Sequence, residues 1–89
     1  MYKNKAFFPE YDYSKLRGLI KEKLGTEGLF AQKIGRTHNY LTKVFSSKSY
    51  FEQRDIELAV QVLEIPYEMI GVYFFTKRVL KTSTNNKGE

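Results

Sequence analysis

Residues 26–48, TEGLFAQKIGRTHNYLTKVFSSK, decide the fold. Thr26 is placed to cap a helix, and Leu29, Phe30, Ala31 and Ile34 then recur at helical rather than alternating spacing. Gly35 follows, the residue that takes the left-handed backbone closing a helix without steric cost, and Thr37 can cap a second helix two residues later. In that second helix Leu41, Val44 and Phe45 fall on one side, and Asn39, Thr42, Lys43 and Ser46 on the other. The stretch therefore reads as two short helices joined by a tight turn, the second presenting a polar row outward.

Toward the N-terminus, Asp12 or Ser14 can cap a helix in which Leu16, Leu19, Ile20 and Leu24 face inward, while Lys15, Arg17, Lys21, Glu22 and Lys23 face water. Gly25 stops it. Gly18 inside this helix costs about 1 kcal/mol relative to Ala, and its expected use is close packing against another helix. Residues 1–11 contain Ala6, Phe7, Phe8 and Pro9, too short and too interrupted for a helix, and read as an extended arm. Phe7 and Phe8 are expected to dock on this molecule or on a second subunit.

Toward the C-terminus, Ser46, Ser47, Lys48 and Ser49 form a polar connection, and Tyr50 and Phe51 return to the core. A helix from Glu52 to Leu63 follows, with Ile56, Ala59, Val60 and Leu63 as its buried stripe. Pro66 opens a short fifth helix with Met69 and Ile70 inward. Val72, Tyr73, Phe74 and Phe75 are β-branched or aromatic. With Thr76, Val79 and Leu80 they predict an extended segment pairing with the arm or with another subunit. From Lys81 onward the chain is polar and expected to be loose. The expected fold class is all-α, a compact five-helix bundle over 12–76 with an arm at 1–11 and a basic tail at 77–89.

Composition limits the chemistry. A chain of 89 residues buries one modest core. With no cysteine and no Trp, disulfides and cysteine-based zinc sites are excluded, and packing falls to the seven Phe and seven Tyr. His38 has no second histidine to share a metal, and no carboxylate pair has the spacing of a shared pocket. The expectation is no enzyme, no cofactor and no small-molecule substrate. The N-terminus lacks the apolar run of a signal peptide and no stretch is long enough to span a bilayer, which places the chain in the cytoplasm. The net charge of +5 suits a polyanionic partner and suits solubility equally. Its distribution says more. Over 26–51 Lys33, Arg36, Lys43 and Lys48 stand against Glu27 alone, whereas over 52–68 Glu52, Asp55, Glu57, Glu64 and Glu68 stand against Arg54 alone.

The segments YDYSKLRGLIKEKLG, TEGLFAQKIG, THNYLTKVFSSK and FEQRDIELAVQVLEIPYEMIGVYFFTKRV together resemble the lambda repressor/Cro-like (XRE-type) helix-turn-helix family over most of 11–79. Ala31, Gly35, Leu41 and the run Leu63 to Pro66 carry the likeness, and YFFTKRV points to the short Cro-like regulators found beside repressors in prophages of Gram-positive bacteria. The resemblance implies a lambda-repressor-like bundle and a Cro-like transcriptional repressor that binds palindromic operator DNA as a homodimer through the major groove. His38, Asn39, Thr42 and Lys43 would then read bases, and Arg36, Thr37, Tyr40, Ser46, Ser47 and Lys48 would bond phosphates. Two positions depart from the family pattern. Glu27 stands where the family often has a phosphate-binding Gln, and a carboxylate there repels phosphate; Tyr40 stands where a small residue is common. Both favour an alternative function on the same fold: a protein-interaction module, an antagonist of a repressor or of a host defence enzyme, that does not read DNA. A row of Asn, Thr and Lys is also what an ordinary solvated helix face contains.

Overall fold

A computed structural model of the chain describes residues 10–78, and five α-helices account for most of them. These are α1 Ser14–Leu24, α2 Glu27–Lys33, α3 His38–Phe45, α4 Gln53–Leu63 and α5 Ile70–Phe74, with a 3-10 turn Tyr67–Met69 leading into α5. The fold class is all-α. The expected roles of Phe7, Phe8, Val79, Leu80 and the tail from Lys81 lie outside the described residues.

Each helix boundary has a local cause. Asp12, not Ser14, organises the start of α1: its carboxylate accepts from the Ser14 backbone N–H at 2.9 Å and from the Ser14 hydroxyl at 2.6 Å. Those two bonds hold the Asp12 carboxyl below the usual carboxylate range. Thr26 Oγ1 accepts from the Leu29 N–H at 3.1 Å, the expected cap of α2. At the other end Gly35, at φ 75°, sends its N–H to the Gln32 carbonyl at 3.1 Å, while the Arg36 N–H reaches the Ala31 carbonyl at 2.8 Å. This paired closure satisfies two carbonyls that the helix leaves open. Thr37 Oγ1 then accepts from the Tyr40 N–H at 3.1 Å and starts α3. The end of α3 repeats the closure with Ser47 at φ 68°, its N–H on Val44 and the Lys48 N–H on Lys43 at 2.8 Å. A non-glycine residue in that region costs about 1 kcal/mol.

The core draws on every helix. Leu16 and Ile20 of α1, Phe30 of α2, Leu41 and Val44 of α3, Ala59 and Leu63 of α4 and Phe74 of α5 are buried, together with Ile34 at the turn. Each large apolar side chain removed from water contributes about 1.5–3 kcal/mol before chain entropy is set against it. An aromatic cluster centred on Phe51 completes the core. The Phe51 ring lies 5.5 Å from Tyr13, 5.6 Å from Phe74 and 6.0 Å from Phe45, all in edge-on geometry, the arrangement that the ring quadrupole favours.

Four expectations need correction. Tyr50, expected to return to the core with Phe51, is 39% exposed. Gly18 is exposed, and a Cβ built on it meets nothing within 4 Å, so it packs against no other helix. Val72 to Phe74 are helical: the i, i+4 pair Ile70 and Phe74 sinks Phe74 into the core, and tertiary burial overrides the β-propensity of the run. The pairing with the N-terminal segment exists, confined to the residues that follow the helix. The Asp12 N–H donates to the Thr76 carbonyl at 2.7 Å and the Arg78 N–H to the Glu10 carbonyl at 2.9 Å, flanking an antiparallel bridge between Tyr11 and Lys77. Finally, Ile56 and Val60 of α4 are only half-buried, because the short α5 leaves that side of the helix uncovered. Among the described residues no helix is long and apolar enough to cross a membrane.

Candidate interaction surfaces

The outward face of α3 is set by its inward one. With Leu41 and Val44 fully buried, His38, Asn39, Thr42 and Lys43 are turned to solvent on one side. The Thr42 hydroxyl donates to the His38 carbonyl at 3.2 Å, and the Ser46 hydroxyl to the Lys43 carbonyl at 3.2 Å, so both are bonded to their own helix. Beside this face lies a small network that ties three helices together. Arg17 of α1 donates through Nε to the Glu27 carboxylate of α2 at 2.8 Å, and the same carboxylate stands 4.0 Å from His38 Nε2. The Arg17 guanidinium also lies over the Phe45 ring, 4.8 Å from its centroid. Glu27 thus places a negative charge beside the first turn of α3.

The residues expected to bond phosphates sit differently. Arg36 donates through Nε to Asp55 Oδ1 at 2.8 Å and through Nη2 to Asp55 Oδ2 at 3.3 Å, and also lies 3.0 Å from the Glu52 carboxylate. Its guanidinium stacks on the Tyr40 ring at 4.4 Å. Tyr40 donates its hydroxyl proton to Asp55 Oδ2 at 2.5 Å. Thr37 Oγ1 is the cap of α3. The Ser47 hydroxyl is buried and has no hydrogen-bond partner among the described residues. Lys48 is exposed.

Asp55, fully buried, is the centre of this second network and was not singled out from the sequence as a site. Besides Arg36 and Tyr40 it accepts from Arg54 Nη1 at 2.9 Å and from the Glu52 backbone N–H at 2.9 Å. Arg54 Nη2 reaches on to the Ile34 carbonyl at 3.1 Å, so α4 braces the turn between α2 and α3. Burial pushes the Asp55 carboxyl upward, but the hydrogen bonds from Arg36, Tyr40 and the Glu52 N–H outweigh it and leave it below its ordinary value. Burial, and then the bond to Asp55, push the Tyr40 phenol up to about 12. The signal for this network was the spacing Glu52-x-x-Asp55, in which the residue at the third helical position reaches back to the cap.

A third feature lies between α4 and α5. Ile56 and Val60 of α4, Tyr67 of the 3-10 turn, Ile70 of α5, and Phe51 and Phe75 line an open groove of about 360 Å³, with Gln53 and Glu57 also on its wall. Tyr67 is 81% exposed and Phe75 50% exposed. Large apolar side chains gathered at one exposed place mark a contact surface more often than scattered ones do. The sequence signal was Ile56 and Val60 at i, i+4 beside a fifth helix too short to cover them.

Comparison with known proteins adds to this geometry. Residues 10–77 match the model of a family described as "Protein of unknown function (DUF739)". No curated protein matches the chain. Among solved structures, the chain is similar to the modulator of repression of the temperate bacteriophage TP901-1 from Lactococcus lactis. The identity is 38%, the TM-score 0.64, and the match covers 74% of this chain and 89% of the phage protein.

Proposed function

The chain belongs to the family described as "Protein of unknown function (DUF739)", and from that premise we propose that it is a phage-type regulator acting through protein–protein contact, a modulator that binds a DNA-binding repressor. The observation that carries the reading is the 38% identity to a modulator of repression across nearly the whole of that protein. The arrangement of charge supports it. Affinity for DNA rests largely on side chains that neutralise phosphates. Here Arg36 is held by Asp55 and Glu52, Tyr40 by Asp55, and Glu27 sets a carboxylate next to His38. The work is cytoplasmic and needs neither cofactor nor catalysis.

The test has two measurements on the full chain. Fluorescence anisotropy with random duplex DNA should show no binding at low or moderate salt. Adding the chain to a repressor–operator complex from the same genome should change the amount of complex in a dose-dependent way. Salt-dependent binding to duplex DNA, with no effect on the repressor, would overturn the reading.

One observation favours a second reading, a Cro-like repressor binding a palindromic operator as a homodimer. His38, Asn39, Thr42 and Lys43 remain exposed together on one face of α3, where a major groove could receive them. On that reading the same anisotropy experiment gives affinity that falls steeply with salt.

A further inference from the structure

We infer that the groove between α4 and α5 is the docking site for a protein segment that carries large apolar side chains flanked by Lys or Arg. This rests on the protein-interaction reading above and names the chemistry of the partner. The floor supplies the apolar half of the argument. Ile56, Val60 and Ile70 are half-buried, and Tyr67 and Phe75 stand exposed at the rim. A volume of about 360 Å³ is at the small end of sites that enclose a ligand, and suits two or three inserted side chains rather than a broad flat interface.

Charge decides among possible occupants. Glu57 is the one carboxylate on the wall and no Lys or Arg lines it. Glu68, next to Tyr67 in the chain, is exposed, while Glu52 and Glu64 lie outside the lining and are paired with Arg36 at 3.0 Å and Lys23 at 3.6 Å. Between residues 52 and 68 the sole cation is Arg54, and its guanidinium is bonded to Asp55 and to the Ile34 carbonyl. The charge at the groove itself is therefore negative, carried by Glu57. A second copy seated by two-fold symmetry would bring this rim against itself and set like charges together. A segment with basic flanks meets it with opposite charge, and its apolar side chains replace water along the floor, the helix-in-groove mode of recognition.

The experiment uses the full chain and two synthetic helical peptides with the same leucine anchors at i, i+3 and i+7, one flanked by Lys and one by Glu. By anisotropy at low salt the Lys-flanked peptide should bind about ten-fold tighter or better, and the gap should shrink as salt screens the rim. Glu57→Lys should narrow or reverse the preference, and Tyr67→Ser should weaken both peptides several-fold. Both positions are exposed, and circular dichroism checks that the variants keep their helices. Amide shifts in nuclear magnetic resonance should cluster at Ile56, Val60, Tyr67, Ile70 and Phe75. Four results would each overturn the inference: no binding of either peptide, equal affinity for both, shifts confined to α3, or a preference that Glu57→Lys leaves unmoved. So would a dimer that Tyr67→Ser dissociates, which assigns the groove to a second copy, or proton contacts from Phe7 or Phe8 to Val60, which assign it to the chain's own arm. If the peptides fail while the chain still acts on the repressor complex, the groove is wrong and the regulator reading survives. The reverse pattern separates the two in the other direction.

Discussion

At the scale of single residues, Asp55 shows how one buried carboxylate converts expected ligands into struts. Its oxygens take the hydrogen bonds of Arg36, Arg54, Tyr40 and the Glu52 N–H, and none of it is exposed. An ion removed from water survives only if its partners replace the lost hydration, and removing one member of such a set typically costs about 3–5 kcal/mol. Asp55→Asn keeps the shape but loses the charge, and should lower stability at neutral pH by about 3 kcal/mol in urea denaturation. The pH dependence has a definite sign. The folded carboxyl titrates below its ordinary value, so near pH 3–4 the unfolded chain binds more protons than the folded one. The stability Asp55 contributes is therefore complete above its unfolded pKa and disappears as pH falls through the lower folded value. The difference between the parent and Asp55→Asn should shrink steadily below about pH 4. A difference that stays constant down to pH 2 would mean that packing, not charge, is what Asp55 supplies.

Among helices, α1 offers the cleanest test of intrinsic propensity. Gly18 lies within Ser14–Leu24, exposed and without a neighbour in reach of a new Cβ. Gly18→Ala should stabilise the chain by about 1 kcal/mol through the smaller entropy lost on forming the helix. In a domain of this size that raises the thermal midpoint by roughly 4–8 °C; an unchanged or lower midpoint would show that helix propensity does not set the cost of the glycine at this position. The sequence misled at Gly18 because helical periodicity says which face a residue occupies but not whether a second helix lies across it. Where the cause was local, the sequence was legible: the Thr26 and Thr37 caps and the Gly35 closure all appear as expected, since each depends on residues within five positions. Where the cause was distant, it was not. The helical state of Val72 to Phe74 depends on burial of Phe74, and the half-exposure of Ile56 and Val60 depends on how short α5 is. The polar face of α3 was legible as a face, whereas the commitment of Arg36 and Tyr40 to a carboxylate 19 and 15 residues further on was not.

On the scale of the molecule, the question is which polyelectrolyte surface this fold is built to meet. Two regions of opposite sign share one small domain: the α2–α3 unit with Lys33, Lys43 and Lys48 exposed, and the α4 side with its carboxylates. Glu27 sits at the border, bonded to Arg17 and close to His38, in the place where a DNA-reading unit would approach the phosphate backbone. A helix N-terminus attracts an anion through its free N–H groups, and a carboxylate already there both occupies that field and repels a second anion. If Glu27 is what keeps α3 off DNA, then Glu27→Gln, which keeps a hydrogen-bonding oxygen for Arg17 but removes the charge, should gain affinity for random duplex DNA at low salt. The gain should carry a salt dependence, with the log–log slope growing more negative by about one unit at most, because a single phosphate interaction is restored. On the proposed regulator reading, action on a repressor–operator complex through the groove lined by Ile56, Val60 and Tyr67 should be unchanged, since Glu27 lies outside that groove. Anisotropy titrations of parent and variant against the same duplex at three salt concentrations check it. If the parent binds no DNA and the variant binds no better at any salt, Glu27 is not what prevents binding, and the commitment of Arg36 to Asp55 becomes the more economical cause.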